Sequence, residues 1–233
     1  MNDTAASGPG PSRIKPALSR VIIAAAVLVA ALVLGPRLFF RPFIAPSASM
    51  EPALVRGDYF VVRFTRDLAP GDVATFGTGE RRRVAYMKRL VAVGGDRVQM
   101  FRGDLRINGR RVDRADAGPA PEGVCWNGEP GRTLRETLPN GRSYLTYDCG
   151  ASELDDTPPF LVPAGHYFFM GDNRDNSADS RIAAGLGGIG FVPREAVIGK
   201  AERIVLSWNN GASRYKPWTW FDVRAERTFQ PVR

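Results

Sequence analysis

The chain has 233 residues, with 32 Lys and Arg against 24 Asp and Glu, a net charge of +8, and 44% hydrophobic and 24% charged residues. That is globular composition and excludes a mostly disordered chain. One histidine and two cysteines argue against a four-ligand zinc site, and a single histidine leaves little room for a Ser-His-Asp enzyme.

In chain order, residues 1–16 are small, polar and rich in Pro and Gly, and read as a disordered tail. An uncharged run follows at Val21–Gly35, extended by Ala17-Leu18 and Leu38-Phe39-Phe40. The apolar region 17–40 reaches about 20 residues and predicts one transmembrane helix. A cleaved signal peptide and a buried soluble helix are the alternatives. No clean small-x-small cleavage site ends the run, and nothing amphipathic relieves it. Arg13, Lys15 and Arg20 precede the span, and Arg37 and Arg41 follow it. The positive-inside rule narrowly favours a cytoplasmic N-terminus. Both flanks can meet anionic lipid headgroups, which makes the bilayer a partner. Nucleic acid is not expected, because only Arg81-Arg82-Arg83 form a basic run and no stacking aromatics adjoin it.

Beyond Asp58 the pattern is short and alternating. Strands are predicted at Asp58–Phe64, Val84–Val93, Arg97–Phe101, Gly165–Met170 and Ala196–Trp208, with Gly- and Asn-containing turns between them. Asn108-Gly109 predicts a type I′ hairpin. The expected fold is mostly β: an antiparallel core at 41–102 and 163–233, with an inserted β cap at 103–162. The cap holds Cys125 and Cys149. Outside the cytoplasm these two can form a disulfide contributing about 3 kcal/mol. Two buried free thiols are the alternative.

Three segments hold chemistry-bearing residues. Pro46-Ser47-Ala48-Ser49-Met50-Glu51-Pro52 is a serine-rich turn directly after the apolar run. Tyr86-Met87-Lys88-Arg89 places a lysine in an apolar strand, with Tyr86, Lys88 and Leu90 on one face. Gly171–Arg181, GDNRDNSADSR, is richer in hydrogen-bonding groups than a turn requires. Its acidic spacing lacks the alternate ligands of an EF-hand, so no metal is expected.

Together these boxes resemble the bacterial type I signal peptidases. The resemblance continues through Arg56-Gly57-Asp58, YMKRLVAVGGDRV at 86–98, GFVP at 190–193 and IGKAERIVLSW at 198–208. It runs from about Phe43 to Trp208 in the family's order. The link at 182–189 is longer and more glycine-rich than is usual in the family. The resemblance implies a Ser-Lys dyad with no cofactor. Ser49 is the implied nucleophile and Lys88 the general base. Ser47 and the Ser49 N–H would hold the oxyanion, and Ser177 would orient the Lys88 amine. Asp179 and Arg181 would brace the loop. Phe43, Ala45, Met50, Leu54, Tyr86 and Met87 are the implied substrate-binding residues.

Lysine scarcity narrows the base independently. Lys15, Lys88, Lys200 and Lys216 are the only lysines, and Lys15 precedes the apolar span. Lys200 and Lys216 sit in polar or irregular contexts. Lys88 alone lies in an apolar strand, where desolvation lowers an amine's pKa from about 10.4 toward the 8 a base requires. His166 begins a strand and has no motif partner.

The expected activity is removal of signal peptides from exported preproteins. The enzyme would be a single-pass protein of the inner membrane, its catalytic part on the extracytoplasmic, periplasmic side. Two other readings stand beside it: a maturation protease dedicated to one conjugation or pilus substrate, and a non-catalytic membrane-tethered β domain that binds exported proteins.

Overall fold

A computed structural model describes residues 16–77, 85–125, 128–209, 215–219 and 221–233. Most of the expected N-terminal tail and the Arg81-Arg82-Arg83 run lie outside these residues. The chain divides into two units, Met1–Phe39 and Phe40–Arg233.

In the first unit, α1 spans Pro16–Leu34, 19 residues, and passes into a 3-10 turn at Gly35–Leu38. Pro36 lacks the N–H that an α-helix needs and its ring fixes φ, so the helix stops before it. At 1.5 Å per residue α1 is about 28 Å long, just under a bilayer's hydrocarbon core of about 30 Å. Among the described residues, no helix is long and apolar enough to cross a membrane. Val21, Ile22, Ile23, Val27, Leu28 and Val29 of α1 are nonetheless exposed.

The second unit is mostly antiparallel β. Its main sheet has seven strands. They are β1 (Phe40–Ile44), β2 (Asp58–Phe64), β3 (Val73–Gly77), β4 (Ala85–Val93), β12 (His166–Met170), β13 (Val192–Pro193) and β14 (Val197–Ser207), in the order β1-β2-β14-β3-β4-β12-β13. Burial alternates along β2, where Asp58, Phe60 and Val62 face inward. β4 lies between β3 and β12 and buries Lys88 through Ala92 continuously, because both faces of this central strand are covered.

A second sheet of four strands contains β5 (Arg97–Phe101), β6 (Asp104–Ile107), β7 (Arg110–Arg111) and β11 (Phe160–Leu161). β5 belongs by sequence to the segment 41–102, yet it pairs with β6 and β11 and with no strand of the main sheet. The β6–β7 turn places Asn108 at φ 53° and Gly109 at φ 79°, the two left-handed residues of the expected type I′ hairpin. A third sheet holds β8 (Asp113–Pro119), β9 (Arg132–Thr137) and β10 (Ser143–Asp148). Cys125 and Cys149 flank it and are joined in a disulfide.

The core falls into three apolar clusters, of which the first ties the sheets together. One joins Val91, Ala92, Phe168 and Met170 of the main sheet to Met100, Leu105 and Tyr144 of the other two. A second packs Phe76, Leu90 and Phe169. The third, Ala45, Met50, Leu54, Phe60, Val62, Ala201 and Ile204, lies under the serine turn.

Candidate active site

The serine turn is folded by its own backbone. The Glu51 N–H donates to the Ala48 carbonyl and the Leu54 N–H to that of Met50. Met50 and Leu54 are inserted into the core beneath. This leaves Ser49 partly exposed and Ser47 exposed on the outer side.

Lys88 comes to this turn from the middle of β4. Its Nζ donates to the Ser49 Oγ at 2.6 Å. Ser47 Oγ lies 3.3 Å from the same Ser49 oxygen. Lys88 is only 4% exposed. Burial pushes its amine down to about 8, against the pull of the Asp179 and Asp172 carboxylates and with help from the Arg181 guanidinium. A fraction of the amine is therefore neutral near neutral pH, and a neutral amine can accept the serine proton.

The third segment backs the pair. The Asn173 N–H donates to the Ser49 carbonyl at 3.3 Å. Gly171 lets this approach happen, since a Cβ there would meet the Ser49 carbonyl at 2.6 Å and the Ser177 Oγ at 2.2 Å. Asp179 is fully buried and accepts from the Gly171 N–H, the Arg181 N–H and both Nε and Nη2 of Arg181. Burial raises this carboxyl, but the Arg181 charge and these donors outweigh it and hold it below the usual carboxylate range. The Arg181 guanidinium also donates to the Arg174 carbonyl at 2.6 Å, which closes the loop.

A serine oxygen in contact with a buried, pKa-lowered lysine amine is the arrangement of a nucleophile and its base. The family profile "Signal peptidase, peptidase S26" matches residues 18–208. The chain belongs to the signal peptidase S26 family. Among curated relatives, signal peptidase I of Rickettsia typhi is 31% identical over 238 residues, covering 83% of this chain and 86% of the relative. Signal peptidase I of Rickettsia felis is 31% identical over 237 residues, covering 83% and 85%. A crystal structure of signal peptidase I from Enterococcus faecalis V583 aligns with a TM-score of 0.34 at 23% identity, covering 57% of this chain and 96% of that one.

Against this family background, the structure brings Ser47, Ser49 and Lys88 together and pairs Asp179 with Arg181. It does not form the expected bond from Ser177 to Lys88. The Ser177 hydroxyl is buried over Gly171 and has no hydrogen-bond partner among the described residues. The expected substrate-binding set also divides. Ala45, Met50 and Leu54 are core residues, 2%, 3% and 0% exposed, so they shape the turn from below and offer no open surface. Phe43, Tyr86 and Met87 are half-buried and remain accessible. The other lysines and the histidine have separate surroundings. Lys200 pairs with Asp72 at 2.8 Å, Lys216 is exposed, and His166 Nδ1 contacts the Ala164 carbonyl at 3.0 Å.

Sequence reasoning missed a buried charge network beside the site. Arg89, the residue after Lys88, donates through Nε and Nη2 to the two carboxylate oxygens of Asp172, both at 2.7 Å. Arg174 pairs with Glu136 of β9, which also accepts from the Tyr144 hydroxyl of β10. The Asp172 carbonyl accepts from Tyr147 of β10. The cap strands are thereby wired into the 171–181 loop. Strand alternation separates Arg89 from Lys88 but names no partner for it.

Proposed function

We propose that this protein is a membrane-anchored endopeptidase that removes signal peptides from exported preproteins, with Ser49 as nucleophile and Lys88 as general base. The observation that carries the reading is the 2.6 Å contact between the Ser49 hydroxyl and a Lys88 amine that is itself buried. Ser49 Oγ attacks the carbonyl carbon of the scissile bond while its proton passes to the neutral Lys88 Nζ. The same ammonium then protonates the departing amine, leaving an ester on Ser49. Lys88, neutral again, takes a proton from water, whose oxygen attacks the ester carbonyl; the acyl C–Oγ bond then breaks, Ser49 Oγ regains its proton from the Lys88 ammonium, and the new carboxylic acid leaves. Ser47 Oγ and the Ser49 N–H face the oxyanion formed in each half. Asp179 and Arg181 hold the loop that supports the Ser49 carbonyl.

Phe43, Tyr86 and Met87 line the approach for an extended substrate carrying small side chains at its cleavage site. On this reading the apolar region 17–40, the exposed α1 together with Leu38-Phe39-Phe40 after it, is the anchor. The N-terminus would then be cytoplasmic and the β unit on the extracytoplasmic side of the inner membrane, a compartment in which the Cys125–Cys149 disulfide persists. Enzyme and preprotein then share one bilayer, which raises their effective concentration. Cleavage of a purified preprotein by wild type, Ser49→Ala and Lys88→Ala tests the reading. Both variants should be folded and inactive, and normal turnover by either one overturns the corresponding assignment.

A further inference from the structure

The family match ends at residue 208, but the chain continues to Arg233. The segment 221–233 returns along β14. The Arg224 N–H donates to the Ser207 carbonyl, Ile204 N–H to that of Gln230, and Val232 N–H to that of Glu202. This return brings two arginines to the serine turn.

Asp58, at the end of that turn, is fully buried. Its carboxylate accepts from the Val55 N–H at 2.9 Å, the Ser207 hydroxyl at 2.6 Å and Arg227 Nη2 at 2.6 Å. Arg227 also donates to the carbonyls of Ala53 at 3.0 Å and Pro52 at 3.4 Å. Arg224 Nη2 donates to the Arg56 carbonyl at 3.0 Å. The Ala48, Met50 and Val55 carbonyls pair within the turn, whereas those of Pro52, Ala53 and Arg56 take their donors from these arginines. A forked guanidinium can serve two of them and the carboxylate at once, whereas a lysine amine is a single point. The segment reaches the base as well, since the Arg233 carbonyl accepts from Arg89 Nη2 at 2.9 Å, next to Lys88.

We propose that Arg227 is a positioning residue for the Ser49–Lys88 pair, fixing the serine turn through Pro52, Ala53 and Asp58. The proposal rests on the reading of Ser49 as nucleophile. A displacement of about 1 Å at a reacting group can cost about 10²-fold in rate. In the full-length chain, Arg227→Ala should lower kcat on a preprotein by about 10²-fold and leave KM within a few-fold. The acid limb of its pH profile should stay near 8, since Lys88 is untouched. Arg227→Lys should not recover the rate. Millimolar guanidinium, too dilute to denature, should restore part of the activity of Arg227→Ala.

Wild-type kcat in Arg227→Ala overturns the proposal. So does a loss of activity that follows a collapsed thermal transition and is not rescued by guanidinium, because Arg227 then serves folding only. The two readings fail separately. An active Ser49→Ala removes the nucleophile, while an inactive Ser49→Ala beside an unimpaired Arg227→Ala removes only the role of Arg227.

Discussion

Lys88 Nζ and Ser49 Oγ stand 2.6 Å apart although 39 residues separate them in the chain. Neither residue is special by itself. The turn after the N-terminal unit exposes the hydroxyl, and a central strand with both faces covered delivers a desolvated amine to it. The fold thus supplies contact together with a buried amine.

The protonation state of Lys88 should set the pH dependence of activity. Burial holds its amine at about 8, so the active neutral form grows as pH rises through that value. We expect kcat/KM to climb through pH 8 and level off above it. Lys88→Arg should be inactive across this range, because guanidinium stays protonated. His166→Ala should keep both the rate and the acid limb. A dead His166→Ala beside a working Lys88→Arg would transfer the base to the histidine.

The same burial should cost stability. In the unfolded chain Lys88 returns to its ordinary value of 10.5, so the unfolded state binds more protons between about pH 8 and 10.5 and stability rises with pH there. Below pH 8 the amine is charged in both states and the native form bears a penalty of about 3 kcal/mol. Lys88→Met should therefore be more stable than wild type at pH 7, by up to that amount, with the gap closing toward pH 10.5. Urea unfolding at both pH values reads it. An equal gap at pH 7 and 10.5 would mean that the amine is not desolvated.

Much of this site is legible in the sequence because its parts are local. The serine turn, the lone lysine of an apolar strand and the polar loop each lie within a dozen residues; alone each is a weak signal, and it is their order along the chain, resembling that of the signal peptidases, that marks them as one site. β2 and β5 follow from alternation for the same reason. β8 is almost wholly exposed and polar, so no alternation marks it, and its existence depends on β9. Arg89–Asp172, Arg174–Glu136 and Asp58–Arg227 join residues 83, 38 and 169 positions apart. Nothing near either partner names the other. Ser177 marks a further limit, since its position in the motif was readable but the direction of its hydroxyl was not.

The cap disulfide should matter for stability more than for chemistry. Cys125 and Cys149 close a 24-residue separation, for which loop entropy gives about 3 kcal/mol. The Cys149 N–H donates to the Asp175 carboxylate at 2.7 Å, so the bridge meets the 171–181 loop at Asp175, whereas Asn173 is the loop residue that meets the Ser49 carbonyl. A double Cys→Ser variant should unfold at lower temperature yet keep its kcat where it remains folded. Mass spectrometry of non-reduced peptides should find the two cysteines in one linked pair. A folded double variant with a much reduced kcat would assign the bridge to catalysis.

Ser47 offers the cleanest separation of binding from chemistry. Its hydroxyl is exposed and 3.3 Å from Ser49 Oγ, close enough to reach an oxyanion formed there but weakly engaged before one exists. An interaction that strengthens only as negative charge develops lowers the barrier without tightening the substrate complex. Ser47→Ala should thus reduce kcat by about 10²–10³ and leave KM nearly unchanged. Ser47→Thr keeps a hydroxyl at the same carbon and should retain most of the rate. The acid limb near 8 should persist in both variants, because Lys88 is unaffected. If the loss in Ser47→Ala appears mainly in KM, or if Ser47→Thr is as poor as Ser47→Ala, the hydroxyl is not an oxyanion donor, and Ser47 belongs to the substrate-contacting surface instead.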